Sequence, residues 1–315
     1  MKSKVFVDGQ EGTTGLKIHE YLSKRSDIEW LSIDSDKRKD TTERSRLINS
    51  ADIVFLCLPD AAAREAVALI ENDHTRVIDA STAHRTNTDW AYGLPELSPA
   101  HREKIKQSKR VAVPGCHASG FAMGMYPLVK AGIVSPDYPV TCTSLTGYSG
   151  GGKSLIGKYE SAEAGQLNSP RPYGLTLQHK HLPEMQVISG LNYPPVFVPI
   201  VANYFKGMGV SLPLYSHMLQ KEMTAEQVHD FFADYYSGET FLKVMPYDSS
   251  AFLDNGFFTV EDCNDTNRVE LFVFGNNDRI LVATRFDNLG KGASGAAVQC
   301  MNIMLGVPED TGLQA

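Results

Sequence analysis

The sequence has few cysteines and no long apolar run. Five cysteines among 315 residues form an odd set without zinc-like spacing, so we expect neither a disulfide framework nor a bound metal. The longest apolar run, residues 53–58, is far shorter than the roughly 20 residues that cross a membrane. The first residues also lack an apolar export segment, so we expect a cytoplasmic protein in a reducing compartment.

An excess of positive charge is also missing. Thirty Lys and Arg residues stand against 37 Asp and Glu residues, which gives a formal net charge of -7. This balance argues against a nucleic-acid or lipid partner, because either would favour a basic surface. A small anionic molecule bound by a few local donors is the partner that the charge allows.

The order of β-like and helical segments predicts an α/β protein. Residues 1–115 alternate short β-rich runs with helical stretches, which is typical of βαβ units and a Rossmann-like parallel sheet. From about residue 136 the β-like runs are longer and include residues 257–260, with a helix over residues 224–236. This later region therefore predicts a mixed or antiparallel sheet in a second domain.

The last helical segment, residues 294–305, carries small and apolar residues on most faces. A late buried helix of this kind is expected to return to the first domain. We therefore predict a discontinuous dinucleotide-binding domain of residues 1–115 and 289–315. Residues 116–288 would form the substrate and oligomerisation domain.

A glycine-rich turn follows the first predicted strand. Gly9, Gly12 and Gly15 open a helix, and glycines at such a turn let a pyrophosphate approach the helix N-terminus. An ordinary βα turn is the plainer alternative. The residues that we expect to contact a dinucleotide are Gly9, Gly12, Thr13, Thr14, Gly15, Ser35, Lys37 and Arg38.

The end of the second predicted strand leaves the choice between NAD and NADP open. Asp34 lies about 20 residues after the glycines, where a carboxylate would bind a ribose hydroxyl. Lys37 and Arg38 could instead bind a 2′-phosphate. The neighbouring carboxylate of Asp36, like that of Asp34, keeps the assignment to NADP open. A solvated run of charges is also common at this point of the chain.

A second glycine-rich segment matches the P-loop pattern. Residues 147–154 read GYSGGGKS and follow a β-like run, as a nucleoside triphosphate site would require. However, no strand-ending Asp suited to magnesium follows it, and the chain already has a dinucleotide turn. The alternative is a backbone bend beside a substrate pocket, with Lys153 as a point charge for an anion.

Cys116 stands where a strand ends and a helix begins. A helix N-terminus favours a thiolate, and its exposed N–H groups can stabilise an oxyanion. We therefore predict Cys116 as a covalent nucleophile, with a cysteine of no chemical role as the alternative. The remaining four cysteines lie in apolar runs or a polar loop and have no predicted chemistry.

Two histidines and one arginine are candidates for the remaining roles. His179 and His181 are two residues apart, and either could serve as a base or a substrate donor. Arg85 is expected at the carboxyl edge of the parallel sheet, where it could bind a carboxylate or phosphate.

Four segments together resemble the N-acetyl-gamma-glutamyl-phosphate reductases of arginine biosynthesis, in their short form. They are the glycine turn, the box PGCHASG at residues 114–120, HKHLPE at residues 179–184 and NLGKGASG at residues 288–295. The resemblance covers nearly the whole chain. It implies the fold of the aspartate-semialdehyde dehydrogenase superfamily, with a returning C-terminal helix.

The resemblance implies NADPH-dependent reduction of N-acetyl-glutamyl 5-phosphate to the 5-semialdehyde and phosphate. Cys116 would form the thioester, His179 would act as acid/base, and His181, Arg85 and Lys153 would bind substrate. Asn288 and Gly292 would lie near the nicotinamide end of the cofactor. A homodimer or homotetramer is implied, and the rival activities are an aspartate-semialdehyde dehydrogenase, a P-loop transferase and a silent NADP-binding sensor.

Overall fold

The protein divides into two compact units. A computed structural model describes residues 2–161 and 164–315. Residues 1–115 and 293–313 form the first unit, and residues 116–292 and 314–315 form the second. The return to the first unit thus begins at Ala293, whereas the sequence-based division began it at residue 289. Among the described residues, no helix combines the length and apolar character that a bilayer crossing requires.

The first unit is a parallel sheet with helices on both faces. Its strands are β1 (Ser3–Asp8), β2 (Ile28–Leu31), β3 (Ile53–Leu56), β4 (Arg76–Asp79), β5 (Ala91–Tyr92) and β6 (Arg110–Ala112). Its helices are α1 (Thr13–Leu22), α2 (Thr41–Ser50), α3 (Asp60–Ala68) and α4 (Pro99–Gln107). The strand order is β2-β1-β3-β4-β6-β5, and every neighbouring pair is parallel. The predicted Rossmann-like domain is confirmed.

Side chains of β1 alternate between two apolar layers. Val5 and Val7 pack in one cluster with Ile18 of α1, while Phe6 packs in the other. Alternation of this kind follows from the two-residue period of a strand, and both faces of a parallel sheet need cover. The same cluster as Val5 contains Ala297 of the last helix (Gly295–Leu305), so that helix does return to this sheet.

The second unit is built on a mixed sheet. In chain order its helices are α5 (Cys116–Lys130), α6 (Gly152–Tyr159), α7 (Leu182–Ser189) and α8 (Ala225–Tyr235), and the returning helix above is α9. Its strands are β7 (Thr141–Gly147), β8 (Arg171–Pro172), β9 (Val196–Ala202), β10 (Met208–Tyr215), β11 (Leu242–Val244), β12 (Val269–Gly275) and β13 (Arg279–Phe286). The strand order is β11-β12-β13-β10-β7-β9-β8.

Most pairs in this sheet are antiparallel, and β7–β9 and β11–β12 are parallel, which confirms the predicted mixed sheet. The helix predicted over residues 224–236 is α8, and Thr224 starts it with a capping box that includes Gln227. The strand predicted over residues 257–260 is wrong. Phe257 makes only an isolated bridge with Asp254, and Val260 lies close to Gly209 of β10.

Helix α5 lies unusually close to this sheet. A Cβ atom on Gly120 would be 2.6 Å from a methyl carbon of Val210 and 2.7 Å from the hydroxyl of Thr284. A Cβ atom on Gly124, one turn later, would be 2.6 Å from a methyl carbon of Leu212. The two glycines therefore allow the helix backbone to approach the side chains of β10 and β13, and this approach fixes where α5 begins.

We expect Gly120→Ala to destabilise the protein by about 1–3 kcal/mol, because the added methyl group would overpack the contact between α5 and the sheet, which leaves no space for it. The measurement is the free energy of unfolding from a denaturant titration. Gly157→Ala is the matched control, since Gly157 is an exposed helical glycine of α6, and a Cβ atom added to it would meet no other atom within 4 Å.

Gly157→Ala should leave stability unchanged or raise it by about 0.5–1 kcal/mol, because alanine loses less backbone entropy in a helix. Equal effects of the two substitutions would contradict the close packing of α5.

Candidate functional site

The glycine turn of the first unit is shaped by its backbone. Gly9 has a φ of +90°, and a Cβ atom there would lie 2.4 Å from the carbonyl oxygen of Cys57. A Cβ atom on Gly15 would lie 2.4 Å from the carbonyl oxygen of Gly9. Gly12 caps α1 and no side chain caps it. An open helix N-terminus in a cradle without side chains fits the phosphates of a dinucleotide.

Thr13 and Thr14 are the first two residues of α1, so they lie where the sequence predicted them. The carbonyl oxygen of Thr14 accepts a hydrogen bond from the hydroxyl of Ser294 at 3.2 Å. The start of α1 is thereby tied to the segment that leads into α9.

The predicted ribose-phosphate residues form an exposed group after β2. Ser35, Lys37 and Arg38 are all exposed, and the main-chain N–H of Lys37 donates to the carbonyl of Asp34. The carboxylate of Glu11, from the glycine turn, forms an ion pair with Arg38 and accepts a hydrogen bond from Ser35 at 3.3 Å. This link between the two segments was not predicted from the sequence.

Arg85 lies in the first unit, past the carboxyl end of β4. It is buried, and its guanidinium donates to the carbonyl oxygen of Val113 at 2.9 Å and to that of Ala80 at 3.1 Å. These bonds fix the side chain to two neighbouring strand ends of the parallel sheet. Its substrate-binding role stays a prediction.

Cys116 is the first residue of α5, and its thiol is half-buried. The other cysteines have different surroundings: burial raises the pKa of Cys57 and of Cys142, and it raises the pKa of Cys263 to about 11. A raised pKa keeps those thiols protonated and inert. Cys116 is thus the cysteine whose position combines partial access with a helix N-terminus.

Three histidine rings lie together in the second unit. The ring centroids of His179 and His181 are 4.8 Å apart, and each is 5.6 Å from the centroid of His117. The structure therefore brings both predicted histidines to the residue that follows Cys116. Within the described part of the chain, no group of three or more His, Cys, Asp or Glu side chains could hold a metal ion.

His117 was not assigned a role from the sequence. It is 2% exposed, its Nδ1 is 2.7 Å from the hydroxyl of Ser144, and its Nε2 is 2.9 Å from the hydroxyl of Tyr173. Burial lowers the pKa of His117 to about 3, and His179 adds to this effect. Its position beside a candidate nucleophile was the one available signal.

His179 is neutral at physiological pH and has a defined tautomer. Burial lowers the pKa of His179 to about 4, with Lys180 as a second cause. The main-chain N–H of His181 donates to Nδ1 of His179 at 3.2 Å. Because a neutral imidazole carries one proton, that proton lies on Nε2. His179 thus presents a donor at Nε2.

Asn288 and Gly292 lie in the second unit and support its loops. The Asn288 side chain accepts from the N–H of Gly207 at 2.8 Å and donates to the hydroxyl of Ser149 at 3.0 Å. A Cβ atom on Gly292 would be 2.9 Å from the Cβ atom of Cys116. Gly292 is therefore a neighbour of the candidate nucleophile, and its contact with a cofactor stays a prediction.

The first three amides of the P-loop match are bonded within the fold. The N–H groups of Gly147, Tyr148 and Ser149 donate to the carbonyl oxygens of Gly207, Tyr204 and Phe205. A phosphate-binding loop needs such N–H groups to point at its ligand. Residues 147–149 therefore form a bend that main-chain hydrogen bonds stabilise. Lys153 is exposed on α6.

Comparisons with known proteins agree with this two-part organisation. A family model described as the NAD binding domain of semialdehyde dehydrogenases matches residues 4–108, and their dimerisation domain matches residues 116–288. The aspartate semialdehyde dehydrogenase II of Vibrio cholerae, solved in complex with ASA, has a similar fold. Its TM-score is 0.73 at 16% identity, and the match covers 97% of this chain and 98% of that one.

Curated relatives are much closer in sequence. The chain is 48% identical to the N-acetyl-gamma-glutamyl-phosphate reductase 2 of Nostoc sp., over 99% of both chains. It is 47% identical to the N-acetyl-gamma-glutamyl-phosphate reductase of Chelativorans sp., over 97% of this chain and 99% of the relative. The chain therefore belongs to the N-acetyl-gamma-glutamyl-phosphate reductase family, and its two domains are those of the semialdehyde dehydrogenases.

Proposed function

We propose that the protein reduces N-acetyl-L-glutamyl 5-phosphate to N-acetyl-L-glutamate 5-semialdehyde and phosphate, with NADPH as the reductant, in arginine biosynthesis. The observation that carries this proposal is the half-buried Cys116 at the start of α5, followed directly by the histidine cluster. A thiol, a helix N-terminus and neutral imidazoles are the groups that an acyl-transfer site needs.

The first step uses Cys116. Its thiolate attacks the acyl carbon of the substrate, the bond from that carbon to the phosphate oxygen breaks, and phosphate leaves. The product is a thioester on the enzyme. Main-chain N–H groups at the start of α5 would stabilise the negative charge that builds on the acyl oxygen.

The second step converts the thioester to the aldehyde. A reduced nicotinamide, when bound, supplies the hydride that the thioester carbon accepts. The acyl oxygen takes up a proton, supplied by the solvent, to give a thiohemiacetal. When the bond between carbon and sulfur breaks, this proton passes to Cys116 and the semialdehyde leaves.

His179 is proposed as the donor to the acyl oxygen in both steps. Its Nδ1 accepts from the main chain and its proton therefore lies on Nε2, so a neutral ring can give a hydrogen bond without first being protonated. This is a narrower role than the acid/base role predicted from the sequence. Arg85, His181 and Lys153 are the residues that we propose for binding the substrate's carboxylate and phosphate.

The pyrophosphate and the 2′-phosphate of the cofactor are bound by the first unit in this proposal. Gly9, Gly12, Thr13, Thr14 and Gly15 would hold the pyrophosphate, and Asn288 and Gly292 would contact its nicotinamide end. Ser35, Lys37 and Arg38 would bind a 2′-phosphate, which selects NADP(H). Glu11 is an anion paired with Arg38 and Ser35, so a 2′-phosphate would take the place of this carboxylate.

We also propose that the protein is a homodimer or homotetramer that forms through one face of the β7–β9–β10 sheet. Helix α5 covers the face that carries Ser144 and Val210. The opposite face carries apolar side chains that are half-exposed or exposed: Leu145, Val196, Val198, Ile200, Pro213 and Tyr215. The same face also carries Thr141, Thr143 and Ser211, and a largely apolar face of this kind favours a second copy of the chain. The expected cytoplasmic location stays a prediction.

Purified protein given the semialdehyde, NADP and phosphate should generate NADPH absorbance, and omission of phosphate should abolish the signal. Cys116→Ser should lower kcat at least about a thousandfold, because the nucleophile is lost. His179→Phe should lower kcat about a hundredfold, as expected for one lost oxyanion donor.

Aspartate semialdehyde, assayed in parallel, should give a much lower kcat/KM. A preference for that substrate would refute the acetylated glutamyl assignment, and near wild-type activity of Cys116→Ser would refute the covalent mechanism.

Arg38→Ala should raise the KM for NADPH about tenfold to a hundredfold, because a charge-assisted hydrogen bond to phosphate is lost. The KM for NADH should not change. Arg46→Ala is the control, since Arg46 is an exposed arginine of α2 paired with Glu43. An equal loss with both cofactors would contradict a 2′-phosphate site at Arg38.

Ile200→Glu should dissociate the assembly, because it places a carboxylate in the apolar face proposed as the interface. The molar mass from light scattering should fall to that of one chain, with thermal unfolding measured to verify folding. Val187→Glu is the control, since Val187 is an exposed apolar residue of α7. An unchanged mass for Ile200→Glu would locate the interface elsewhere.

A further inference from the structure

His117 follows the nucleophile, yet its ring has no nitrogen left for proton transfer. Its Nδ1 lies 2.7 Å from the hydroxyl of Ser144 and its Nε2 lies 2.9 Å from the hydroxyl of Tyr173. A residue that moves a proton to or from the substrate needs a ring nitrogen that the substrate can reach. The ring of His117 is instead bound at both ends within the protein.

The surroundings of His117 prevent the ring from turning away. Its centroid is 5.2 Å from that of Phe197 on β9, and 5.6 Å from both His179 and His181. Ser144, on β7, is fully buried, so its hydroxyl is a fixed anchor. The ring can therefore transmit the position of the sheet to whatever its Nε2 holds.

The group held by Nε2 is the hydroxyl of Tyr173. Among the described residues, His117 is the hydrogen-bond partner of this hydroxyl. Burial raises the pKa of Tyr173, with negative charge on Cys116 as a further cause, so the phenol is protonated, and it is held by the residue that directly follows Cys116. A neutral phenol held in this place can donate its proton in a hydrogen bond to a bound substrate.

We propose that His117 is a positioning residue: Ser144 donates to its Nδ1, its Nε2–H donates to the Tyr173 oxygen, and the Tyr173 proton is thereby directed to the acyl oxygen of the substrate on Cys116. Each of these three groups donates one hydrogen bond to the next, and the hydroxyl proton of Tyr173 is the one that remains for the substrate. The proposal rests on the proposed function, because it gives Tyr173 the oxygen of that thioester as its partner.

Two amide substitutions distinguish the contributions of the two ring nitrogens. The amide of His117→Gln falls near the position of Nε2 and can still donate to Tyr173, whereas that of His117→Asn falls near Nδ1 and reaches only Ser144. We expect His117→Asn to lower kcat about tenfold, the effect of one lost hydrogen bond. His117→Gln should keep kcat within about threefold of the wild type, and KM should change little in both.

A double-mutant cycle with Tyr173→Phe tests whether His117 acts through that hydroxyl. Tyr173→Phe alone should lower kcat as much as His117→Asn or more, and His117→Asn should cost nothing further in the Tyr173→Phe background. Ser144→Ala, measured in both backgrounds, gives the same test if His117→Asn does not fold. His74→Asn, an exposed histidine replaced in the first unit, is the control.

Equal losses in His117→Asn and His117→Gln, or an undiminished loss in the Tyr173→Phe background, would overturn the positioning role. A lower unfolding temperature with unchanged kcat would do the same, since that result describes a residue needed only for packing. These outcomes leave the proposed function intact as long as the wild-type protein turns over the semialdehyde. Failure of the wild type in that assay would refute the proposed function itself.

Discussion

The close approach of α5 to the second sheet is the constraint on which the site depends. Gly120 and Gly124 remove the side chains that would separate the helix from Val210, Thr284 and Leu212. A helix held this close begins at a fixed height above the strands, and its first residue is Cys116. Gly292 has a similar effect, because the absence of a side chain there leaves room for the Cys116 side chain. The nucleophile is thus placed by glycines that carry no chemistry.

Burial keeps two imidazole rings of the site neutral. His117 and His179 are held in surroundings that lower the pKa of each, so neither is charged near pH 7. Neutral rings donate and accept hydrogen bonds whose direction the protein sets, here through the main chain of His181 and the hydroxyl of Ser144. With these two rings neutral, oriented hydrogen-bond donors are a natural means of stabilising negative charge that develops on the substrate.

Sequence reasoning located residues correctly in the fold where the signal is local, while their roles stay predictions. The glycine turn and Cys116 each combine a motif with the strand end and helix start that it requires, and both features are readable within a dozen residues. The partners of His117 lie 27 and 56 residues away in the chain, and the link from Glu11 to Arg38 spans 27. No periodicity or spacing specifies such contacts, since they depend on how the strands are ordered in each sheet.

In residues 257–260 the sequence predicted a structure that does not form. Its apolar and β-branched residues predict a strand, yet Phe257 forms only a bridge, and Val260 packs against Gly209 where a side chain would otherwise stand. Phe257 is 74% exposed and the other three residues are only half-buried, so the apolar pattern marks a segment beside the sheet and not a strand of it. Strand propensity cannot distinguish these two outcomes, because a paired strand and a half-buried segment can carry the same apolar and β-branched side chains.

The two glycine-rich segments show why backbone hydrogen bonds decide what a motif does. Both can be read as phosphate sites from their letters. At the first, Gly12 begins α1 without a capping side chain, and the cradle is closed to any side chain at Gly9 or Gly15. At the second, the amides of residues 147–149 are already bound to carbonyl oxygens of residues 204–207. An N–H group that is satisfied within the fold has little to offer a phosphate, so residues 147–149 contribute no free amides to the segment that matches the P-loop pattern letter for letter.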